Sequence, residues 1–140
     1  MKIGANVYQK FEEETEPKVN LVVRAYDKIA ELLEEAAQNI ERNNIENKGY
    51  CISRAIEIIS ELMAALDFEQ GKQIAVGLQN IYMFSLNQLM EANTQNNAKI
   101  LRKIANIFKD LNTAWHEVAK QHFQKTAKTQ NKELALNAGL

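Results

Sequence analysis

Two histidines, one cysteine and two sets of adjacent glutamates are the residues of this chain whose types could do chemistry. A carboxylate-bridged metal site in a helical bundle needs Glu-x-x-His on two helices, with further glutamates from the others. Three residues before His116 and His122 stand Thr113 and Ala119, and histidines six apart do not share a helix face. Both read as solvated residues near a helix C-terminus, where the dipole tolerates positive charge. Cys51 would need a base beside it to act as a nucleophile; its neighbours Tyr50 and Ile52 mark it as a small, partly buried filler. Gly71 and Gly77 stand alone and make no phosphate loop. Glu12/Glu13 and Glu34/Glu35 are neighbours whose side chains diverge on a helix, so they read as solvated charge and not as an acid and base pair. The expectation is a protein with no catalytic residue, no cofactor and no metal: not an enzyme.

The elements that carry these residues are helices. The chain has 140 residues, with five glycines and one proline, Pro17, too few for the turns of an all-β fold. A domain of this length buries enough surface to fold without disulfide or metal. A net charge of −1 builds no positive field for nucleic acid. One cysteine cannot form an internal disulfide and fits a reducing compartment, so a cytoplasmic location is expected. Met1 to Lys10 holds no apolar run for a signal peptide, and no stretch approaches the ~20 apolar residues of a membrane span.

Apolar residues recur at alternating spacings of three and four, the seam of a bundle helix. The first seam is Val19, Val22, Tyr26, Ile29, Leu33, Ala36 and Ile40. It opens near Pro17, with Thr15 or Glu16 as N-cap, and stops at Asn43-Asn44. The second is Ile52, Ile56, Ile59, Met63 and Leu66. The third is Ile74, Leu78, Tyr82, Ser85, Leu89 and Ala92. The fourth is Leu101, Ile104, Phe108, Leu111, Trp115 and Val118, with Trp115 expected to be largely buried. The predicted helices run near 17–42, 48–67, 72–94 and 98–121. Their short links require each to return beside its predecessor, giving an all-α, antiparallel four-helix bundle. The expected organisation is a leader at 1–16, a bundle domain at 17–123 and a frayed, polar tail at 124–140.

A bundle helix needs one apolar stripe, and the third has a second: Val76, Met83, Leu86 and Met90. The second helix adds Ile58, Leu62 and Ala65 off its seam. These residues either thicken the core or floor a groove for an amphipathic client helix, to which methionine adapts well. Tyr8 and Phe11, two aromatics in a polar leader, are candidates to fold back over such a groove or to contact a partner.

From Tyr8 to about Val118 the chain resembles the flagellin export chaperones, the FliS family. The resemblance rests on the run Ala65-Leu66-Asp67-Phe68-Glu69-Gln70-Gly71, then Ile74-Ala75, Leu78 and Ile81-Tyr82. Leu89-Met90-Glu91-Ala92-Asn93 follows, and Ala114-Trp115 near the end. Upstream stand Tyr8-Gln9, Pro17-Lys18 and Tyr26-Asp27. It departs from the family where Ile81-Tyr82-Met83-Phe84 and Asn87-Gln88 replace a Leu-Tyr-Asp-Tyr and an Arg-Arg pair. Glu16 replaces an N-cap serine, and Lys72 replaces the second glycine of a Gly-Gly. The resemblance implies a cytoplasmic chaperone. Such a protein would bind the disordered C-terminal segment of flagellin, prevent premature polymerisation and assist delivery to the flagellar type III export apparatus. The implied partners are flagellin, an export gate component and other flagellar regulators. The alternative is a related co-chaperone or adaptor that does not itself bind flagellin; the lost arginines keep it open. A metal or small-molecule bundle enzyme would need a convergent polar site that these apolar seams do not offer.

Overall fold

The computed structural model describes residues 18–137, and they form four helices: α1 (Lys18–Glu41), α2 (Ile45–Ala64), α3 (Phe68–Gln95) and α4 (Ala98–Asn137). The leader with Tyr8, Phe11 and the expected N-cap lies outside the described residues. Within residues 24–112, which form one compact unit, the helices pack as an antiparallel bundle. Side chains fix the directions. Asp27 of α1 accepts a hydrogen bond from Asn112 of α4, and Glu41 accepts one from Arg102, so α1 ascends as α4 descends. Lys48 near the start of α2 meets Asn93 and Asn96 at the end of α3. The second compact unit holds the opening of α1 to Val23 and α4 from Thr113 onward.

The helix ends follow from polar residues in the links. Asn43 takes φ 57° and Asn96 φ 52°, the left-handed conformation that asparagine tolerates best after glycine. Around them Asn44 N–H reaches Asn39 C=O at 2.8 Å, and Asn97 N–H reaches Ala92 C=O at 3.0 Å, which closes the last turns of α1 and α3. The next helices start on side-chain caps: Asn44 accepts from Asn47 N–H at 3.5 Å, Asp67 from Gln70 N–H at 3.0 Å and Asn97 from Ile100 N–H at 3.1 Å. These caps place two starts earlier than the apolar seams suggest, at Ile45 instead of Lys48 and at Phe68 instead of Lys72. At the other end α4 runs to Asn137, past the point near Gln121 where its apolar period weakens and a frayed tail is expected.

The core of the bundle is Tyr26, Ile29, Leu33 and Ala36 from α1, Ile52, Ala55 and Ile59 from α2, Tyr82, Leu89 and Ala92 from α3, and Leu101, Ile104 and Phe108 from α4. At its centre three rings meet. Phe108 stacks on Tyr82 with centroids 6.2 Å apart and planes 5° from parallel, and Tyr26 stands edge-on to both. The Tyr26 and Tyr82 hydroxyls share a 2.5 Å hydrogen bond, which satisfies polar atoms that would otherwise be costly to bury.

Burial, then this hydrogen bond, push the Tyr82 hydroxyl far above the ordinary tyrosine range. The unfolded chain therefore releases that proton near pH 10 while the folded chain keeps it. The associated stability is intact below pH 10 and lost above it, by up to about 1.4 kcal/mol per pH unit. A series of urea denaturations from pH 8 to 11 should show this decline, and Tyr82→Phe should flatten it.

Among the described residues the structure places the seam positions Ile74 and Val118 on the surface and leaves Val22, Ile40, Ile56, Met63, Leu66, Leu78, Leu111 and Trp115 half-buried. Ile74 is 70% exposed: it lies two residues past a break in α3 at Lys72, and the buried line runs instead through Ala75, Tyr82, Ser85, Leu89 and Ala92. Trp115 is not the largely buried residue its seam suggests, so Trp115→Ala removes less packing than a core tryptophan would. Lys48 is a further surprise: it is 5% exposed, and its Nζ donates to Asn93 C=O at 3.0 Å and Asn96 Oδ1 at 2.6 Å. The ammonium thus closes the negative end of α3. Lys48→Met should cost about 1–3 kcal/mol by denaturation, because the α3 terminus loses both bonds; a neutral substitution would mean water replaces them fully.

Candidate functional site

α3 buries one line and leaves another on the surface. Seven residues are nearly two turns, so Val76, Met83 and Met90 fall on one face with a drift of about 20° per step. They are 42%, 50% and 62% exposed. The positions one turn after each are Asn80, Asn87 and Thr94, so the face carries no charge over five turns. Thr94 turns its hydroxyl back to Met90 C=O at 3.0 Å, which leaves its methyl outward. Leu86, at the edge of this face, is half-buried. Exposed apolar side chains in an uncharged row are characteristic of a surface that meets another protein.

The other expected contact residues divide. Ile58 is 8% exposed and belongs to the core of α2, so it does not present itself to a partner; Leu62 is half-buried. α2 and α3 pack directly on each other, and Cys51 and Arg54, on the helix line of Ile58, face α1, so α2 has neighbours on more than one side. Tyr8 and Phe11 lie outside the described residues. Reading periodicity alone also missed Phe84, on the opposite flank of α3. It is 44% exposed, with Lys103 Nζ 5.8 Å from its ring centre, a cation–π contact.

A second surface feature lies between α1 and α2: a cleft of about 330 Å³ lined by Lys28, Leu32, Glu35, Asn47, Tyr50, Cys51 and Arg54. Cys51 is 3% exposed. Burial first, then the Glu35 charge and its hydrogen bond, raise the thiol above its ordinary value. That is the opposite of what a nucleophilic thiolate requires. Of the glutamates, Glu34 is half-buried and pairs with Lys109 at 2.9 Å and Arg102 at 3.9 Å, so it ties α1 to α4 instead of standing free in water. Among the described residues no three His, Cys, Asp or Glu side chains converge where a metal could sit, and His116 is exposed. No helix among the described residues is long and apolar enough to cross a membrane.

The geometry is that of a helical scaffold presenting an apolar row. The family model for the flagellar protein FliS matches residues 1–122. The flagellar secretion chaperone FliS of Campylobacter jejuni is 30% identical over 116 residues, which cover 83% of this chain and 91% of that one. That of Salmonella typhimurium is 30% identical over 108 residues, 76% of this chain and 80% of the other. That of Vibrio cholerae is 31% identical over 88 residues, which span 63% of this chain and 65% of its own length. With a family model that matches residues 1–122 and relatives 30% identical over most of its length, the chain belongs to the flagellar protein FliS family.

Proposed function

We propose that this protein is a flagellar export chaperone that holds the disordered C-terminal segment of a flagellin in the cytoplasm, keeps it from polymerising and presents it to the export gate. The observation that carries this reading is the uncharged, exposed row Val76, Met83 and Met90 on α3 in a member of this family. A disordered client loses chain entropy when it folds onto a surface, and it recovers that loss only by burying a large apolar area. An apolar row several turns long suits a helical client segment, which presents anchors at matching spacings. Methionines suit it further, since their flexible side chains mould to the client.

The test is titration calorimetry of the whole chain with a flagellin C-terminal segment. The expected result is saturable binding with a negative heat-capacity change, and a far-ultraviolet spectrum of the mixture more helical than the sum of its parts. Absence of binding by the folded chain would sink the reading and leave the adaptor role.

A further inference from the structure

The first turn of α3 is bent away from the helix it opens. Lys72 sits at φ 47°, ψ −119°, inside an otherwise helical run. A side chain with a Cβ is strained there, and glycine is the residue that normally takes such values. The preceding residue argues the same way from the opposite side. Gly71 is packed so closely that a Cβ added to it would stand 2.9 Å from the Ala75 Cβ. The bend therefore requires the glycine at 71 and is opposed by the lysine at 72. Local bonds hold it: Gly71 N–H donates to Asp67 C=O at 2.8 Å, and Asp67 caps Gln70. An arrangement that needs one residue and strains the next is poised against an alternative, and the alternative here is an unbroken helix.

Straightening has a consequence for the apolar row. Eighteen residues are five turns of α-helix, so in an unbroken α3 Phe68 stands on the same line as Leu86, at the margin of the face of Val76, Met83 and Met90. In the bent form Phe68 is 44% exposed. We infer that the bend at Lys72, which carries the turn Phe68–Gly71, is a strained switch. The free chain holds it bent, and an apolar helical client straightens it, gaining Phe68 as an additional aromatic anchor. The client part of this inference rests on the chaperone reading above. The energetic logic is that of a ligand selecting the state in which it has more to touch.

Two substitutions push the switch in opposite directions. In the free chain, Lys72→Gly relieves the strain and should raise the thermal midpoint by about 3 °C or more, whereas glycine in a regular helix lowers it. A lowered midpoint overturns the bend. Gly71→Ala disfavours the bend and should move the backbone chemical shifts of residue 72 to helical values; shifts unchanged there with a lower midpoint overturn the existence of the straight alternative. With a flagellin C-terminal segment, Gly71→Ala should bind at least about threefold tighter and Lys72→Gly about threefold weaker, and Phe68→Ala in the Gly71→Ala background should cancel the gain. Equal affinities across the set overturn the coupling. If the unaltered chain does not bind the segment, the chaperone reading and the coupling both fall, while the measurements on the free chain still decide whether the bend is strained.

Discussion

Phe108→Ala is expected to remove about 3–5 kcal/mol of stability, a large part of the 5–15 kcal/mol that a domain of this size has in total. The ring is fully buried, stacked on Tyr82 and met edge-on by Tyr26 at 5.5 Å between centroids. Alanine removes both contacts and leaves a void that three helices border. The Tyr26–Tyr82 hydroxyl bond holds two of the three rings in place, so the space cannot close by a simple shift of either ring. Burial of the lost atoms and the residual cavity both count against the variant. Phe108→Leu keeps most of the volume and should cost roughly half as much or less. Urea denaturation followed by far-ultraviolet circular dichroism measures both. A loss below about 1 kcal/mol for alanine would mean that the helices collapse around the gap and that the aromatic centre does not organise the bundle.

Met83→Ala and Met90→Ala should have the opposite signature. Each side chain is at least half exposed, so its truncation should leave the unfolding midpoint within about 0.5 kcal/mol of the parent. Each is expected to weaken binding of a flagellin C-terminal segment about fivefold, the effect of losing an apolar anchor worth about 1 kcal/mol. Seven residues of helix separate them by about 10 Å, far enough for the effects to add, so the double variant should bind about twenty-five-fold more weakly. Ile58→Ala supplies the contrast. Ile58 is buried against its neighbours, and its loss should lower stability by about 2–5 kcal/mol before it alters any contact with a partner. Normal client affinity in the methionine double variant would move the client site off this face of α3.

Much of the bundle is legible in the sequence because helices are local. The spacings of Tyr26, Ile29, Leu33 and Ala36, and of Leu101, Ile104 and Phe108, state which way each helix must face, and these residues are all buried. Asn43 and Asn96 at positive φ, with Asp67 and Asn97 as caps, end and restart the helices by bonds that span only a few residues. The scarcity of glycine and proline and the short links then leave few arrangements other than an antiparallel bundle. Family membership was legible as well, in the order of short elements from Leu66-Asp67 through Ala92-Asn93 to Ala114-Trp115, and the family comparison agrees with it.

Tertiary structure decided how wide a stripe each helix buries. Periodicity gives a direction around the helix axis, but exposure depends on how many neighbours stand at that level. Ile58 and Met83 both lie off their main seams, yet the first is buried in the bundle while half of the second stays uncovered. The hydroxyl bond between Tyr26 and Tyr82 joins residues 56 apart, a partnership that no local spacing can announce. Nothing in the spacing marks Lys48; only the tertiary fold brings the end of α3 beside it and offers two oxygens in place of water. Lys72 is the reverse case. The sequence shows a lysine after Gly71, but only the backbone shows that the position takes a glycine's conformation, and that the strain falls at the edge of the apolar row.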